Sequence, residues 1–433
     1  MTRDRPRHRP ARRTHAVVAA AASAAALALL LAGCTGADSS STSTSSSRAA
    51  SDAAAPVEST PGPGPVAPTT DTAAVRVAVD AEPTDVVTGL EAPWSVVRLD
   101  SGSSFVSLRD SGRVVELTPD GSVRDVATLD GVVHQGESGL LGLAVLAGSP
   151  SYLYAYLTTA DDNRIVRAPI TGDPGSYGLG PVEDVFTGIP AASNHDGGRI
   201  AFGPDGMLWA TTGDASDDTA SQDETSLGGK VLRLSPTGAV PSDNPMPGSP
   251  VWSLGHRNPQ GITWDAWGGG WAAEFGQDTW DELNSLAPGA NYGWPEVEGR
   301  SSAGSSGSAG SSGSAESSGS AGSSGSSGSS GQFLDPVLQW RTDQASPSGL
   351  TAVGSTLFMA GLGGEVLFEI QVPESGEATS TERFSGDESL GRIRDVLPGP
   401  DGTLWLLTNN TDGRGDARQG DDRIVSVPLQ PLG

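Results

Sequence analysis

Cysteine is nearly missing from this chain: Cys34 is the only one in 433 residues, which excludes any disulfide within it. Lysine is as scarce, with Lys230 alone, so almost every positive charge is an arginine guanidinium. Lys and Arg together number 26 against 52 Asp and Glu, a formal net charge of −26. That balance excludes a nucleic-acid partner, because phosphate binding needs a basic face. Long amphipathic helical patterns are lacking too, which leaves strands to build the fold.

The one sustained apolar run, Ala16 to Leu31, follows RPRHRPARR and leads into LLAGC. A basic head, a short apolar core and small residues before a cleavage point describe an export signal over residues 1–33, too short for a spanning helix. LAGC resembles a bacterial lipobox, which predicts acylation of Cys34 and a chain exported and lipid-anchored at the outer face of the cell membrane. An ordinary export signal with an unmodified thiol is the alternative. Residues 34–74 are mostly Ser, Thr, Ala and Pro and read as a flexible stalk. A second biased tract, 301–331, is Ser, Gly and Ala with one Glu, and is predicted to be a disordered surface insertion. The folded part is then 75–433 less that tract.

Within it, one three-part phrase recurs six times. It opens with APWSVVRLDSG from Ala92, GLLGLAVLAGS from Gly139, GGRIAFGPDG from Gly197, NPQGITWDAWGG from Asn258, SPSGLTAVGST from Ser346 and GRIRDVLPGPDG from Gly391. A Gly/Asp turn and a second strand follow, such as SFVSLRD or MLWATTGD, and then a third, such as GRVVELTPDG or GKVLRL. Antiparallel units repeating at roughly 45 to 90 residue intervals, none able to bury its own face, predict an all-β fold, a six-bladed β-propeller. Pairing between the first and last repeats would close it.

In a propeller the innermost strands all start at one mouth of the central channel, so residues at those starts converge. Here the starts carry Gln135 and Glu137; Asn194, His195, Asp196 and Arg199; His256, Arg257 and Asn258; Ser346 and Ser348; Arg392 and Arg394. Carboxylate, imidazole, amide and guanidinium groups crowded at one mouth are costly without a ligand to satisfy them.

The segments QGESGLLGLA, NHDGGRIAFGPDG, GKVLRL, SLGHRNPQGITW, AEFGQDTWDELN, NYGWP and GRIRDVLPGPDG, in that order, resemble the pyrroloquinoline-quinone (PQQ) dependent aldose sugar dehydrogenases of the soluble glucose dehydrogenase type. The resemblance implies oxidation of the anomeric hydroxyl of an aldose, with His195 of NHDGGR as the base, and an external electron acceptor. It implies PQQ contacts from Arg257 and Asn258 of HRNPQG, from Arg392 and Arg394, and from Leu362 and Gly363. It also implies calcium on the backbone carbonyls of Gly276 and Gln277, and a carboxylate, Asp281 of WDELN, orienting His195. Tying turn amides is the other reading of Asp281 and Glu282. The chain departs from the family at Glu137, where the glucose enzyme has a glutamine near the sugar, at Asn194 and Phe275, and at Gly363, where that enzyme has a lysine. A noncatalytic sugar- or glycan-binding propeller and a calcium-dependent lactonase stay open as alternatives.

Overall fold

Strand after strand in this chain is bounded by Gly/Asp turns whose hydrogen bonds set the register. In the turn after Phe202, Asp205 Oδ1 accepts the amide of Met207 at 3.0 Å and Nε1 of Trp209 at 3.2 Å, while Gly206, at φ 73°, supplies the left-handed step. The computed structural model describes residues 75–300, 333–374 and 377–432. The export signal, the stalk, Cys34 and the 301–331 tract lie outside the described residues.

Six antiparallel sheets of four or five strands result, each one blade. Their inner strands are Pro93–Arg98, Leu140–Leu146, Ile200–Phe202, Asn258–Trp264, Pro347–Val353 and Ile393–Pro398. Each inner strand touches the next around a closed ring, the last returning to the first. The expected six-bladed propeller is thus the observed one.

Outer strands escaped the threefold sequence phrase. Val123–Thr128 and Thr379–Arg383, for instance, complete blades one and five but carry mixed, half-exposed side chains, because an outermost strand has at most one covered face. Closure comes from Arg76–Val79, which pairs with Ile424–Leu432 and so completes the sixth blade. Thr356 of blade five stitches the same strand, its Oγ1 accepting from the Val77 amide at 2.9 Å and donating to the Val77 carbonyl at 3.0 Å.

The core is likewise cyclic, since apolar clusters sit between successive blades and not within them. Leu141, Tyr154 and Ile165 of blade two bury against Ile200, Leu208 and Leu232 of blade three. Trp209 meets Trp264 of blade four edge-on, with centroids 5.5 Å apart. A blade removed from this ring would expose apolar surface on both sides.

Candidate active site

Most chemistry-bearing residues at the mouth come from two kinds of connection. One links the outer strand of a blade to the inner strand of the next; the other links the second strand of a blade to its third. In an antiparallel four-stranded blade both lie at the same end.

His195, in the connection before Ile200–Phe202, is held by its backbone as much as by its ring. It sits at φ 61°, and Gly213 packs so closely that a Cβ there would lie 1.8 Å from the His195 carbonyl oxygen. Nδ1 of the ring is 2.7 Å from Asp214 Oδ1, with the aspartate side chain only 2 % exposed. Asp214 is itself fixed, because Oδ1 accepts from the Ser216 amide at 2.8 Å and Oδ2 from Trp294 Nε1 at 2.9 Å. A carboxylate on Nδ1 selects the tautomer that leaves Nε2 as a free acceptor.

This corrects the expectation for Asp281. Its Oδ1 accepts the Gly276 amide at 2.9 Å and its Oδ2 the Ser346 amide at 2.6 Å, so it ties two mouth loops and does not orient the histidine. Burial pushes its carboxyl up to about 6. Glu282 also ties a turn, accepting the Gly299 amide at 2.7 Å. Asp214 was missed in the sequence because TTGDAS looks like any strand-terminating turn.

Glu137 and Asn258 form a bracket behind the histidine. Glu137 Oε2 accepts the His195 amide at 3.1 Å and Asn258 Nδ2 at 3.2 Å, while Asn258 Oδ1 accepts the Gly197 amide at 3.0 Å. Arg257 is joined to the same unit by the Asp214 amide, which donates to the Arg257 carbonyl at 2.8 Å. Its guanidinium lies 5.5 Å from the Trp294 ring centroid, with Nη1 donating to the Gly276 carbonyl at 2.7 Å and Nε to Gln277 Oε1 at 3.1 Å. A small cleft lined by Arg257, Glu274, Gly276, Trp280 and Trp294 opens beside the guanidinium.

The Gly276 loop is pinned from outside the blade. Glu298 Oε1 accepts the amides of Gln277, Asp278, Thr279 and Trp280 at 2.7, 2.9, 2.8 and 3.1 Å. Burial alone would raise the Glu298 pKa, but these amides outweigh it and hold the carboxylate below its usual range. Glu298 and Asp281 between them occupy the N–H groups from Gly276 to Trp280. Oxygen is what the loop has left to offer a ligand.

Farther around the mouth, Arg394 is buried, donating from Nη1 to Gln260 Oε1 at 2.8 Å and to Ser348 Oγ at 3.2 Å. Burial, with Arg109 and Arg392 nearby, lowers its pKa to about 9. Arg392 donates to the Leu362 carbonyl at 3.5 Å. Neither Nε, on Arg392 or on Arg394, has a hydrogen-bond partner among the described residues. Unpaired buried donors of this kind suit an anionic ligand bearing several carboxylates.

At Gly363 a Cβ would lie 2.4 Å from Ser346 Oγ, so the serine must turn before any side chain fits. Lys230 is no substitute cation: its ammonium donates to the carbonyls of Ala220, Ser221 and Gly228 at 2.7, 3.1 and 2.6 Å, and burial lowers its pKa to about 8. Two other residues from the sequence cluster turn out to be internal braces. His256 is buried between Glu274 Oε2 at 2.7 Å and Ser253 Oγ at 2.9 Å, and Arg199 pairs with Asp395 at 3.0 Å.

A closed propeller with an aspartate-oriented histidine, a neighbouring guanidinium and an arginine-rich wall at one mouth defines a class of small-molecule enzyme built on six blades. The chain belongs to the Glucose / Sorbosone dehydrogenase family, whose model matches residues 90–417. It is similar to the PQQ-bound form of an aldose sugar dehydrogenase from Streptomyces coelicolor, at 44% identity, with 83% of this chain and 99% of that one covered and a TM-score of 0.71. It is also 29% identical to an aldose sugar dehydrogenase of Escherichia coli, over 75% of this chain and 89% of that protein. Quinoprotein glucose dehydrogenase B of Acinetobacter calcoaceticus matches at 28% identity over 49% of this chain and 52% of its own length.

Proposed function

We propose that this protein is a PQQ-dependent aldose sugar dehydrogenase that converts the anomeric hydroxyl of an aldose to the lactone. The observation that carries the reading is the His195–Asp214 pair, joined to Arg257 through the Asp214 amide, at a mouth whose opposite wall is arginine. When bound, PQQ supplies a quinone that accepts the hydride from the anomeric carbon, and calcium polarises its carbonyl. His195 Nε2 takes the hydroxyl proton while Asp214 stabilises the imidazolium that forms. Arg257 places positive charge where negative charge develops, and Arg392 and Arg394 pair with cofactor carboxylates. Calcium would be taken by the carbonyls of Gly276 and Gln277. Backbone oxygen is the natural donor there, since among the described residues no group of three or more His, Cys, Asp or Glu side chains is placed to hold a metal. Arg257 would have to release the Gly276 carbonyl for that. Electrons leave to an external acceptor, and the protein works at the outer face of the membrane, held through acylated Cys34.

Reconstituting the apo protein with PQQ and calcium tests this. Dye reduction with an aldose is expected only when both are present, whereas lactone hydrolysis without PQQ would establish a lactonase and sugar binding without turnover a lectin-like module. His195→Ala is expected to lower kcat by about 10²–10⁴-fold and Asp214→Asn by about 10²-fold or more, with PQQ still bound. Full turnover in His195→Ala would overturn the assignment of the base, and full turnover in Asp214→Asn the role of its partner.

A further inference from the structure

Asp412 stands in the connection between Thr403–Thr408 and Ile424–Leu432, at the mouth end of blade six. Its side chain is fully buried, with Oδ2 lying 3.9 Å from Arg109 Nη1 and 3.7 Å from Arg392 Nη2, and accepting no hydrogen bond among the described residues. Oδ1 accepts the Arg414 amide at 3.0 Å, and Arg414 reaches Glu137 at 3.5 Å, so the loop spans from the guanidiniums to the bracket behind His195. It also lies directly on the arginines: a Cβ on Gly415 would be 2.7 Å from Arg392 Cδ.

Arg109 belongs to the same group, although nothing in SFVSLRD marks it. It follows Ser104–Leu108 on blade one, is 3 % exposed, and its one close ion pair is with Asp110 at 2.7 Å. Three guanidiniums, Arg109, Arg392 and Arg394, therefore crowd together where blades six and one meet, near enough to repel one another, and the buried carboxylate of Asp412 lies beyond hydrogen-bonding distance of two of them. Like charges packed out of water repel strongly unless anions lie between them. Asp110 and Asp412 set two carboxylates against three guanidiniums, which leaves that group short of negative charge.

We infer that Arg109 is a third cofactor-carboxylate residue, and that Asp412 is a resident anion that a PQQ carboxylate must displace from the Arg109–Arg392 pair. The inference rests on the PQQ reading above and deepens it. Arg109 supplies the charge that the absent lysine at Gly363 would have supplied, from blade one instead of blade five. The Asn409–Gly420 connection, which carries Asp412, is then the element that yields when the carboxylate is displaced.

Equilibrium titration of the apo protein with PQQ in saturating calcium, followed by quenching of tryptophan fluorescence, separates the possibilities without reference to turnover. Arg109→Gln is expected to raise the Kd for PQQ about tenfold and Arg109→Lys to recover part of the loss. Asp412→Asn is expected to do the opposite, lowering Kd several-fold, while reducing the Tm of the ligand-free protein, because three guanidiniums then keep only the carboxylate of Asp110. An unchanged Kd in Arg109→Gln, or a weaker one in Asp412→Asn, overturns this proposal while leaving the enzyme reading intact. A wild type that binds no PQQ overturns both.

Discussion

Two aspartates that follow His195 in the chain show how much depends on what a carboxylate meets. Asp214 meets an imidazole, an indole and an amide, and holds the ring of His195 by Nδ1. Asp196, next to the histidine in sequence, instead faces inward. Its Oδ1 accepts from Asn163 Nδ2 at 2.8 Å and from the Ala192 amide at 3.1 Å, its Oδ2 has no partner among the described residues, and burial pushes its carboxyl up to about 6. The native state therefore holds a proton there that the unfolded chain releases nearer pH 4, so charging this group costs stability as pH rises through that window. Asp196→Asn keeps the acceptor and removes the charge. It is expected to be more stable than wild type at pH 8, by on the order of 2 kcal/mol, with the advantage shrinking toward pH 4. Melting temperatures of the pair across that range check it, and a constant difference would show that the carboxyl is not titrating. Nothing in NHDGGR distinguishes these fates; the motif marks the histidine, and the partner of its ring lies 19 residues further on.

At the level of elements, the sequence disclosed one kind of mouth connection and hid the other. Glu137, His195, Arg257, Ser346 and Arg392 all immediately precede inner strands, whose apolar runs and Gly/Asp turns are easy to see. Arg109, Asp214 and Asp412 follow second strands, in turns of no distinctive composition, and only three-dimensional pairing reveals them. Gly276, Gln277, Leu362 and Gly363 occupy that second kind of connection too, and were reached by resemblance alone. The segment that returns to the mouth with Trp294 and Glu298 was equally silent, since a glutamate between turns looks solvated. Yet its single oxygen holds four consecutive amides of the Gly276 loop. Glu298→Gln keeps the shape but replaces a charged acceptor with a neutral one, roughly half as strong per bond. Half-saturation of PQQ reconstitution is expected to need about tenfold more calcium, read by titration at fixed PQQ. An unaltered calcium requirement would mean that the loop is held by its turn geometry and not by this charge.

The molecule as a whole depends on Arg76–Val79 to complete its sixth blade, and the strand bonds to blade five as well, through Thr356 Oγ1 and Gln371 Nε2 to the Val77 carbonyl. A chain lacking residues 75–79 exposes the edge of Leu429–Leu432. It is expected to lose roughly 3 kcal/mol or more of stability and to self-associate through that edge. Calorimetry and size-exclusion chromatography report the two effects, and a monomer with unchanged Tm would show that closure contributes little.

The up-and-down order of the strands within each blade has one more consequence. Every site residue lies at one end of the sheets, so the opposite turns, such as Asp205–Gly206, Asp265–Gly269 and Asp401–Gly402, carry no chemistry. Residues 75–433 contain no cysteine. A thiol engineered into one of those turns would be the sole attachment point on the propeller, and a dye, a bead or an electrode coupled there would hold every molecule with its mouth facing the solution.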